Sequence, residues 1–453
     1  MTPRPEQAAA GALLARLEQI PISRWHARPR IVMGSATFLD AFSALSLAFA
    51  LPVLTALWHL KPQQIGYLIS SAYVGQLLGA FLFTWLAERI GRVPSATIAV
   101  AIMAVMSLGC AVARGFDALL VCRLVQGIGI GGEMPVAAAY ISELSQARTR
   151  GRFFLVYEII FPVGLMATGQ AGAWLVPAFG WKAIFLVGAV PCFFITALLA
   201  RLPESPRWLI SRGRMPQAEA ILHQMESACG VKPSLAPRSP TPPASAAAEK
   251  PGFAAPLSAF YRKRTLIVWT LWACAYFVAN SLNNWMPSLY TGVYHLGLRP
   301  ALRAASLTNV AQVILVIIAA FSIDRAGRRH WTVAAFFVCA VLLAVLGIAG
   351  ARTATSVIAL GTLSYGVVGS VNAVLYLYTP EIYPTRMRAI GTGLATAWLR
   401  LASAVGPSLV GVMVGHGGVA LVFLVFAFIS LAGAAAGTAM IETRRRALEA
   451  LSP

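Results

Sequence analysis

The chain has 453 residues, of which 58% are hydrophobic and only 11% are charged. Soluble proteins carry about 25% charged residues, so this composition excludes an ordinary soluble protein. The formal net charge of +20 does not indicate a nucleic-acid partner, because the basic residues are concentrated in alternate connecting segments.

Apolar runs of about 20 residues, each long enough to cross a ~30 Å hydrocarbon core, recur along the whole chain. Such runs form helices, because backbone amides in lipid have no water to bond. We therefore predict an all-α integral membrane protein. Its twelve transmembrane helices are predicted at residues 31–57, 65–87, 94–113, 118–144, 152–176, 181–201, 265–292, 302–323, 331–350, 354–380, 387–414 and 418–440.

The basic residues predict the orientation of these spans. If the first span leaves the cytoplasm near Ile31, one side of the membrane carries 28 of the 36 Lys and Arg residues and the other side six. The remaining two, Arg123 and Arg400, lie well inside spans, whereas the counted residues lie in the connecting segments or at span ends. This split is the positive-inside pattern, and it predicts that both termini are cytoplasmic.

A polar loop separates two groups of six spans. The predicted halves are residues 31–201 and 265–440, and residues 1–30 and 441–453 are the cytoplasmic ends. The cytoplasmic loop at 202–264 begins with an amphipathic stretch, which predicts one or two surface helices. It continues with a Pro-, Ala- and Ser-rich stretch that cannot bury a core, and we predict a disordered linker there.

Charged clusters of the first half recur in the second half at offsets of 236 and 238 residues. The repeated groups are Glu88-Arg89-x-Gly91-Arg92 with Asp324-Arg325-x-Gly327-Arg328, and Glu143, Arg148 and Arg150 with Glu381, Arg386 and Arg388. Two matches at nearly one offset predict pseudo-symmetric halves, a transporter architecture with its substrate site between them at mid-membrane.

The repeated clusters lie at the predicted cytoplasmic ends of spans. Charge pairs between the halves can close the cytoplasmic mouth and break when it opens; the alternative is a solvated run of charges. We predict that the cytoplasmic gate comprises Glu88, Arg89, Arg92, Glu143, Arg148, Arg150, Glu204, Asp324, Arg325, Arg328, Glu381, Arg386 and Arg388.

Five motifs resemble those of the major facilitator superfamily, and the resemblance covers essentially the whole chain. TWLAERIGR and its copy SIDRAGRR look like the loop signature after helix 2, and PESPRWLI marks the sugar-porter and organic-ion-porter branches. Within these branches, GIGIGGEMP, RGRFFLVYEIIFPVG and YTPEIYPTRMRAIGTG are most similar to the bacterial niacin porters. They also resemble the synaptic-vesicle glycoproteins and the animal organic-ion porters.

The resemblance implies the major facilitator fold and a place in the bacterial inner membrane. Two departures bear on the substrate. Ser43 stands where niacin and aromatic-acid porters tend to carry a second acidic residue after Asp40, and the paired glutamines of sugar porters are absent from helix 7. The second departure weighs against a sugar.

Arg400 is the leading candidate for substrate binding. It falls near mid-membrane by residue count, on a polar stripe with Thr396. A guanidinium stays charged and matches the planar geometry of a carboxylate. By resemblance, the position seven before Pro407 carries Arg in anion porters and Asp in cation porters. The alternative role is an internal ion pair with an acid such as Asp40 or Glu158.

Three acids inside spans, Asp40, Glu158 and Glu133, are candidates for proton coupling, because a buried carboxylate can hold or release a proton as its surroundings change. The alternative for each is a static ion pair. Arg123 lies ten residues before Glu133 on the same predicted helix. Arg123 would be the partner of Glu133 in such a static pair, and we include it with the three acids among the predicted proton-coupling residues.

Amides and aromatic rings inside the spans suit a flat heteroaromatic substrate. Interhelical hydrogen bonds are the alternative for any single residue. The predicted substrate-binding residues besides Arg400 and Thr396 are Asn280, Asn283, Asn284, Tyr157, Tyr365, Asn372 and Tyr376. The glycine-rich stretch of helix 4 has no preceding strand, so we predict close helix packing through Gly127 and Gly131 rather than nucleotide binding.

These observations predict a secondary active transporter of a small organic anion, with nicotinate or a related aromatic carboxylate preferred and protons as the coupling ion. The alternatives are a porter for sugars, sugar acids or organic cations, and a membrane receptor or scaffold without transport. No enzymatic, cofactor-binding or metal-binding constellation is evident in the sequence, and the six scattered cysteines show no metal spacing. The expected partners are the anion, protons and the lipid bilayer, with no nucleic acid, and we expect a monomer.

Overall fold

The computed structural model describes residues 5–21, 23–144, 159–229, 255–349, 351–384 and 387–444. Nearly all of these residues are helical. The helices are α1 (Pro5–Gln19), α2 (Arg24–Trp58), α3 (Pro62–Ile90), α4 (Arg92–Val112), α5 (Phe116–Glu143), α6 (Ile160–Phe179), α7 (Lys182–Leu199), α8 (Pro206–Ser211), α9 (Met215–Cys229), α10 (Arg262–Gly292), α11 (Leu298–Ala326), α12 (Arg328–Ile348), α13 (Ala354–Glu381) and α14 (Arg388–Thr438).

Within the described ranges, ten helices are long and apolar enough to cross a membrane. The last of them, α14, is interrupted at Gly418, whose φ of +72° is left-handed, so α14 provides two spans. Helix α6, with 20 residues, is the described part of the predicted fifth span, whose residues 152–158 lie outside the described ranges. The helices therefore accommodate the twelve predicted spans.

The two halves meet at one end of the helix bundle. Asn284 of α10 donates a hydrogen bond to the Tyr73 hydroxyl of α3 (3.0 Å), and the Ser408 hydroxyl of α14 donates to Ser70 of α3 (2.7 Å). A Cβ atom added to Gly66 would lie 2.8 Å from the Pro407 carbonyl. We call this end, where α3 begins and α10 ends, the far end.

The opposite end carries the repeated charged clusters, and we call it the charged end. Both α3 and α11 start at the far end and run to the charged end, where each is followed by a glycine with positive φ, Gly91 (+112°) and Gly327 (+87°). Only glycine adopts such angles readily. The chain therefore turns in the same way at this end of both halves.

Helices α3 and α5 pack in close contact through glycines. A Cβ atom on Gly127 would lie 2.1 Å from the Ala72 carbonyl oxygen, and one on Gly131 would lie 2.0 Å from that of Gln76. No other residue fits at these distances, so the predicted close packing through Gly127 and Gly131 is confirmed.

A small helical layer covers the charged end of the first half. Helices α8 and α9 lie where the sequence predicted one or two surface helices, and α1, which the sequence did not predict, packs against them through Leu13 and Leu17. Arg16 of α1 pairs with Glu226 of α9 (2.8 Å). Helix α1 has too few apolar residues to be recognised alone, and its packing surface exists only once α9 is present.

Candidate functional site

A cavity of about 440 Å³ lies between the halves. Its wall runs from Tyr73 and Asn284, at the far-end contact, to Asp324 and Arg328 at the charged end, so the cavity faces the charged end. The predicted substrate-binding residues that line it are Arg400, Asn280, Asn283, Asn284, Tyr365, Asn372 and Tyr376. Thr396 is not in its wall, and Tyr157 lies outside the described residues.

Arg400 lines the cavity with its side chain 8% exposed. One terminal nitrogen donates to the Thr396 carbonyl (3.3 Å), and its Nε has no hydrogen-bond partner. Among the described residues no carboxylate forms an ion pair with it, although Asp40 and the hydroxyl groups of Tyr276 and Tyr376 interact with it electrostatically. The guanidinium therefore retains hydrogen-bonding capacity toward the cavity.

Asp40 lines the same cavity from α2 and is 1% exposed. Its Oδ1 has no hydrogen-bond partner, and the carboxyl group interacts electrostatically with both Arg400 and Glu133. Glu133 of α5 is fully buried and accepts a hydrogen bond from the Thr37 hydroxyl (2.9 Å), one turn before Asp40. Two carboxyl groups from facing helices therefore share one buried region. Glu158 lies outside the described residues.

The alternative of a static pair between Arg123 and Glu133 does not occur in the structure. Arg123, 2% exposed, donates to the Gln126 side chain (2.6 Å) and the Ser43 carbonyl (3.0 Å), and also to the Ala44 carbonyl. Its bonds therefore join α5 to the backbone of α2. The sequence argument failed because it considered only spacing along α5, whereas the carbonyl groups of a neighbouring helix compete for the same guanidinium.

Three predicted asparagines of α10 are bonded to other helices. Asn280 donates to the Ser403 hydroxyl (2.6 Å), and Asn284 donates to Tyr73 across the halves. Asn283 donates to Tyr365 (3.0 Å) and also bonds Asn309. The alternative of interhelical hydrogen bonds therefore describes these amides, although all three line the cavity.

An aromatic cluster flanks Arg400. Trp272 stacks on Tyr276 with ring centroids 5.5 Å apart and an interplanar angle of 7°, and Tyr376 meets Trp272 edge to face at 4.7 Å. Tyr276 and Tyr376 line the cavity, whereas Trp272 is buried behind them. The sequence analysis missed Trp272; its four-residue spacing from Tyr276 on one helix was the available signal.

The predicted gate residues form ion pairs within each half. In the first half Arg92 binds Glu88 (2.8 Å) and Glu143 (2.9 Å). The second half repeats this arrangement, in which Arg328 binds Asp324 (3.0 Å) and Glu381 (3.2 Å). No pair between the halves occurs at this end among the described residues. Arg89 lies over the Trp85 ring instead, and Arg148, Arg150 and Arg386 lie outside the described residues.

A carboxylate binds the start of the helix that follows each charged turn. In the first half, Glu204 accepts hydrogen bonds from the backbone N–H groups of Arg92 (3.1 Å) and Val93 (3.2 Å). Negative charge at a helix N-terminus is favourable, because the unpaired N–H groups point toward it. Glu204 was predicted for the gate, but here it accepts hydrogen bonds from the first turn of α4 in its own half.

Glu442 has the same role in the second half, 238 residues later. It accepts from the backbone N–H groups of Arg328 (3.0 Å) and Arg329 (3.1 Å) at the start of α12. The sequence analysis missed this third repeated pair because Glu442 falls after the last predicted span, with no neighbouring motif to match.

The pKa values of the two carboxylates are shifted in opposite directions. Burial holds the pKa of Glu204 above its ordinary value, against three backbone N–H groups that favour the charged form. Burial also acts to raise the pKa of Glu442, but hydrogen bonds from the backbone of Arg444, Arg328 and Arg329 outweigh it and keep this pKa below its ordinary value. The ionised Glu442 therefore stabilises the fold, whereas ionisation of Glu204 does not.

We expect Glu442→Gln to lower stability at pH 7 by about 1–3 kcal/mol, because it removes a charge-assisted hydrogen-bond acceptor. The contribution of Glu442 is present above the ordinary glutamate pKa of about 4.3 and is lost as the pH falls through its lower folded pKa. Glu204→Gln is the matched control and should change the stability less, since its raised pKa has the opposite sign. Thermal unfolding of the purified protein at pH 7 measures both, and equal losses would contradict this assignment.

Comparison with known proteins identifies what the chain is similar to. A family model described as "Sugar (and other) transporter" matches residues 37–453. The niacin transporter of Acinetobacter baylyi is 31% identical over 445 residues, covering 97% of this chain and 99% of that protein. The 4-hydroxybenzoate transporter of the same species is 27% identical over 392 residues, covering 85% and 83%. The crystal structure of a D-xylose–proton symporter matches with a TM-score of 0.74 at 18% identity, over 92% of this chain and 98% of that one.

Proposed function

We propose that this chain, which belongs to the sugar (and other) transporter family and has the major facilitator fold, carries a small aromatic carboxylate such as nicotinate together with protons. The protein is a membrane transporter, like the other members of its family, and not an enzyme. The observation that carries the proposal is the buried Arg400 guanidinium, which has no carboxylate partner among the described residues and lies in a cavity between the halves.

The cavity has the chemistry that an aromatic acid requires. A guanidinium offers two parallel N–H groups to a carboxylate, and the faces and edges of Tyr276 and Tyr376 offer an apolar surface to a flat ring. A volume of about 440 Å³ is in the usual range for small-ligand sites. Niacin and 4-hydroxybenzoate, named for the two relatives, are both aromatic carboxylates.

Asp40 and Glu133 are the proposed proton carriers. Each interacts electrostatically with the other, and holding two negative charges in one buried region is costly. The pair is therefore suited to share one proton. Because Arg400 also acts on Asp40, an incoming carboxylate that neutralises Arg400 removes a cation from the neighbourhood of Asp40. Substrate binding then favours proton binding at the pair, which is the coupling that symport requires. Glu158 remains a candidate proton carrier on the basis of the sequence alone.

We infer that the charged end faces the cytoplasm of a bacterial inner membrane, on the 28-to-6 distribution of basic residues. The described conformation, closed at the far end, is then inward-facing. In the outward-facing state the gate residues of the two halves would approach each other, and the ion pairs around Arg92 and Arg328 would exchange partners between halves.

Single-cysteine labelling tests this orientation. On a background without the six natural cysteines, Gln224→Cys on α9 should not react with a membrane-impermeant maleimide in intact cells, whereas Arg114→Cys at the far end should react. Both native side chains are exposed, so accessibility to water is matched. If Gln224→Cys is labelled in intact cells and Arg114→Cys is not, the charged end faces outward and the assigned orientation is wrong.

A competition experiment tests the substrate class. Labelled nicotinate is bound to the purified protein and displaced with 4-hydroxybenzoate, D-xylose or tetraethylammonium, which represent an aromatic acid, a sugar and an organic cation. We expect displacement by the acid alone, since only the acid can pair with Arg400. If labelled nicotinate does not bind, direct binding of labelled D-xylose would make the protein a sugar porter, and direct binding of labelled tetraethylammonium alone would make it a cation porter.

A further inference from the structure

Asn372 of α13 is the one predicted amide in the cavity wall whose side chain forms no hydrogen bond with a described residue. It is 8% exposed and lines the cavity, and its Oδ1 is buried without a partner. The other predicted amides of the wall differ in this respect: Asn280 is bonded to Ser403, Asn283 to Tyr365 and Asn284 to Tyr73. Buried amides are almost always hydrogen-bonded, so an unbonded one in a cavity indicates a ligand contact.

The position of Asn372 relates it to the aromatic cluster and to Arg400. It precedes Tyr376 by one helical turn, so the two side chains lie on one face of α13. Tyr376 in turn contacts Trp272 and interacts electrostatically with Arg400. An aromatic acid whose ring packs against Tyr376 and whose carboxylate binds Arg400 therefore lies close to Asn372.

A carboxamide can both donate and accept a hydrogen bond. It can donate to a ring nitrogen, and it can accept from a ring hydroxyl. An aromatic acid without a second polar atom displaces water from the amide and leaves it unbonded, which penalises that ligand. The amide thus separates substituted or heteroaromatic acids from benzoate, whereas Arg400 holds all of them equally.

We propose that Asn372 is the specificity-determining residue of the cavity, hydrogen-bonded to a polar atom on the ring of an aromatic monocarboxylate. This role rests on the proposed function, because it assumes that Arg400 binds the carboxylate. The substrate class is thereby narrowed to aromatic acids that carry a ring nitrogen or a ring hydroxyl.

The test compares the affinities of nicotinate, 4-hydroxybenzoate and benzoate for the parent protein and for Asn372→Ala. The parent should bind the first two about tenfold more tightly than benzoate. Asn372→Ala should lose this advantage, and its affinity for benzoate should rise rather than fall, because no amide is then left unbonded. Asn280→Ala is the matched control: its amide lines the same cavity but bonds Ser403, so any loss there should be the same for all three acids.

Asn372→Ser provides a second, smaller change if the alanine variant is not recovered as a folded monodisperse protein. Its hydroxyl is shorter, so the preference over benzoate should shrink without vanishing. Equal losses for nicotinate and benzoate in either variant would assign Asn372 a structural role and overturn the proposal. A parent that binds all three acids alike overturns it while leaving the proposed function intact; a parent that binds none of them overturns both.

Discussion

Replacing Arg400 with alanine is expected to weaken nicotinate binding by roughly 30- to 5,000-fold. This corresponds to the loss of about 2–5 kcal/mol that follows removal of one partner from a desolvated charge pair. The side chain lines the cavity and no carboxylate of the described residues forms an ion pair with it, so its removal breaks no ion pair among these residues. The fold should therefore persist, and equilibrium binding with a thermal-unfolding control measures the effect.

Two comparisons make this prediction specific. Arg400→Lys keeps the charge but lacks the planar pair of donors, so it should bind nicotinate weakly rather than normally. Nicotinamide, which is neutral, should compete poorly with nicotinate in the parent and comparatively better in Arg400→Ala. Normal nicotinate binding by Arg400→Ala would contradict the proposal that the substrate is an anion bound by Arg400. A neutral solute would then be the better candidate for the substrate.

Asp40→Asn is expected to abolish accumulation driven by a pH gradient while sparing exchange. A gradient of one pH unit can drive about tenfold accumulation for each proton carried, and the variant should reach only equal concentrations on both sides. Exchange of labelled for unlabelled nicotinate requires no net protonation and should continue. Both are measured in liposomes that contain the purified protein.

Glu133→Gln separates the members of the carboxyl pair. If the pair shares one proton, this variant should also lose accumulation, because Asp40 alone then lacks the neighbouring charge that favours its protonation. If Asp40→Asn accumulates nicotinate fully, coupling does not run through Asp40. The same measurement would then be applied to Glu133 and Glu158.

The membrane helices were predictable from sequence because hydropathy reports directly on lipid contact. Predicted span 302–323 lies inside α11, Leu298–Ala326. The additional residues at the ends of α11 include polar ones such as Arg299. Hydropathy excludes them from the predicted span, although the helical hydrogen bonds of the backbone continue through them. Helix α1 was not predicted, since its stability depends on packing against α9.

The candidate site was predictable in its types of residue and less so in its contacts. Arg400 and Asp40 were identified because charge inside a span is costly and therefore informative. The partners of Arg123 and Asn283 were not, because they lie on other helices and depend on three-dimensional packing. The distinction between Asn372 and the bonded amides required the structure, since all four have the same chemistry and similar sequence surroundings.

The most direct test of the account is uptake of radiolabelled nicotinate by liposomes that contain only this protein, with and without an inwardly directed proton gradient. Empty liposomes and the Arg400→Ala protein are the controls. The account predicts uptake above both controls, increased by the gradient and suppressed by unlabelled 4-hydroxybenzoate but not by D-xylose. Uptake equal to that of Arg400→Ala, in liposomes where the parent protein is shown to be folded, would contradict it.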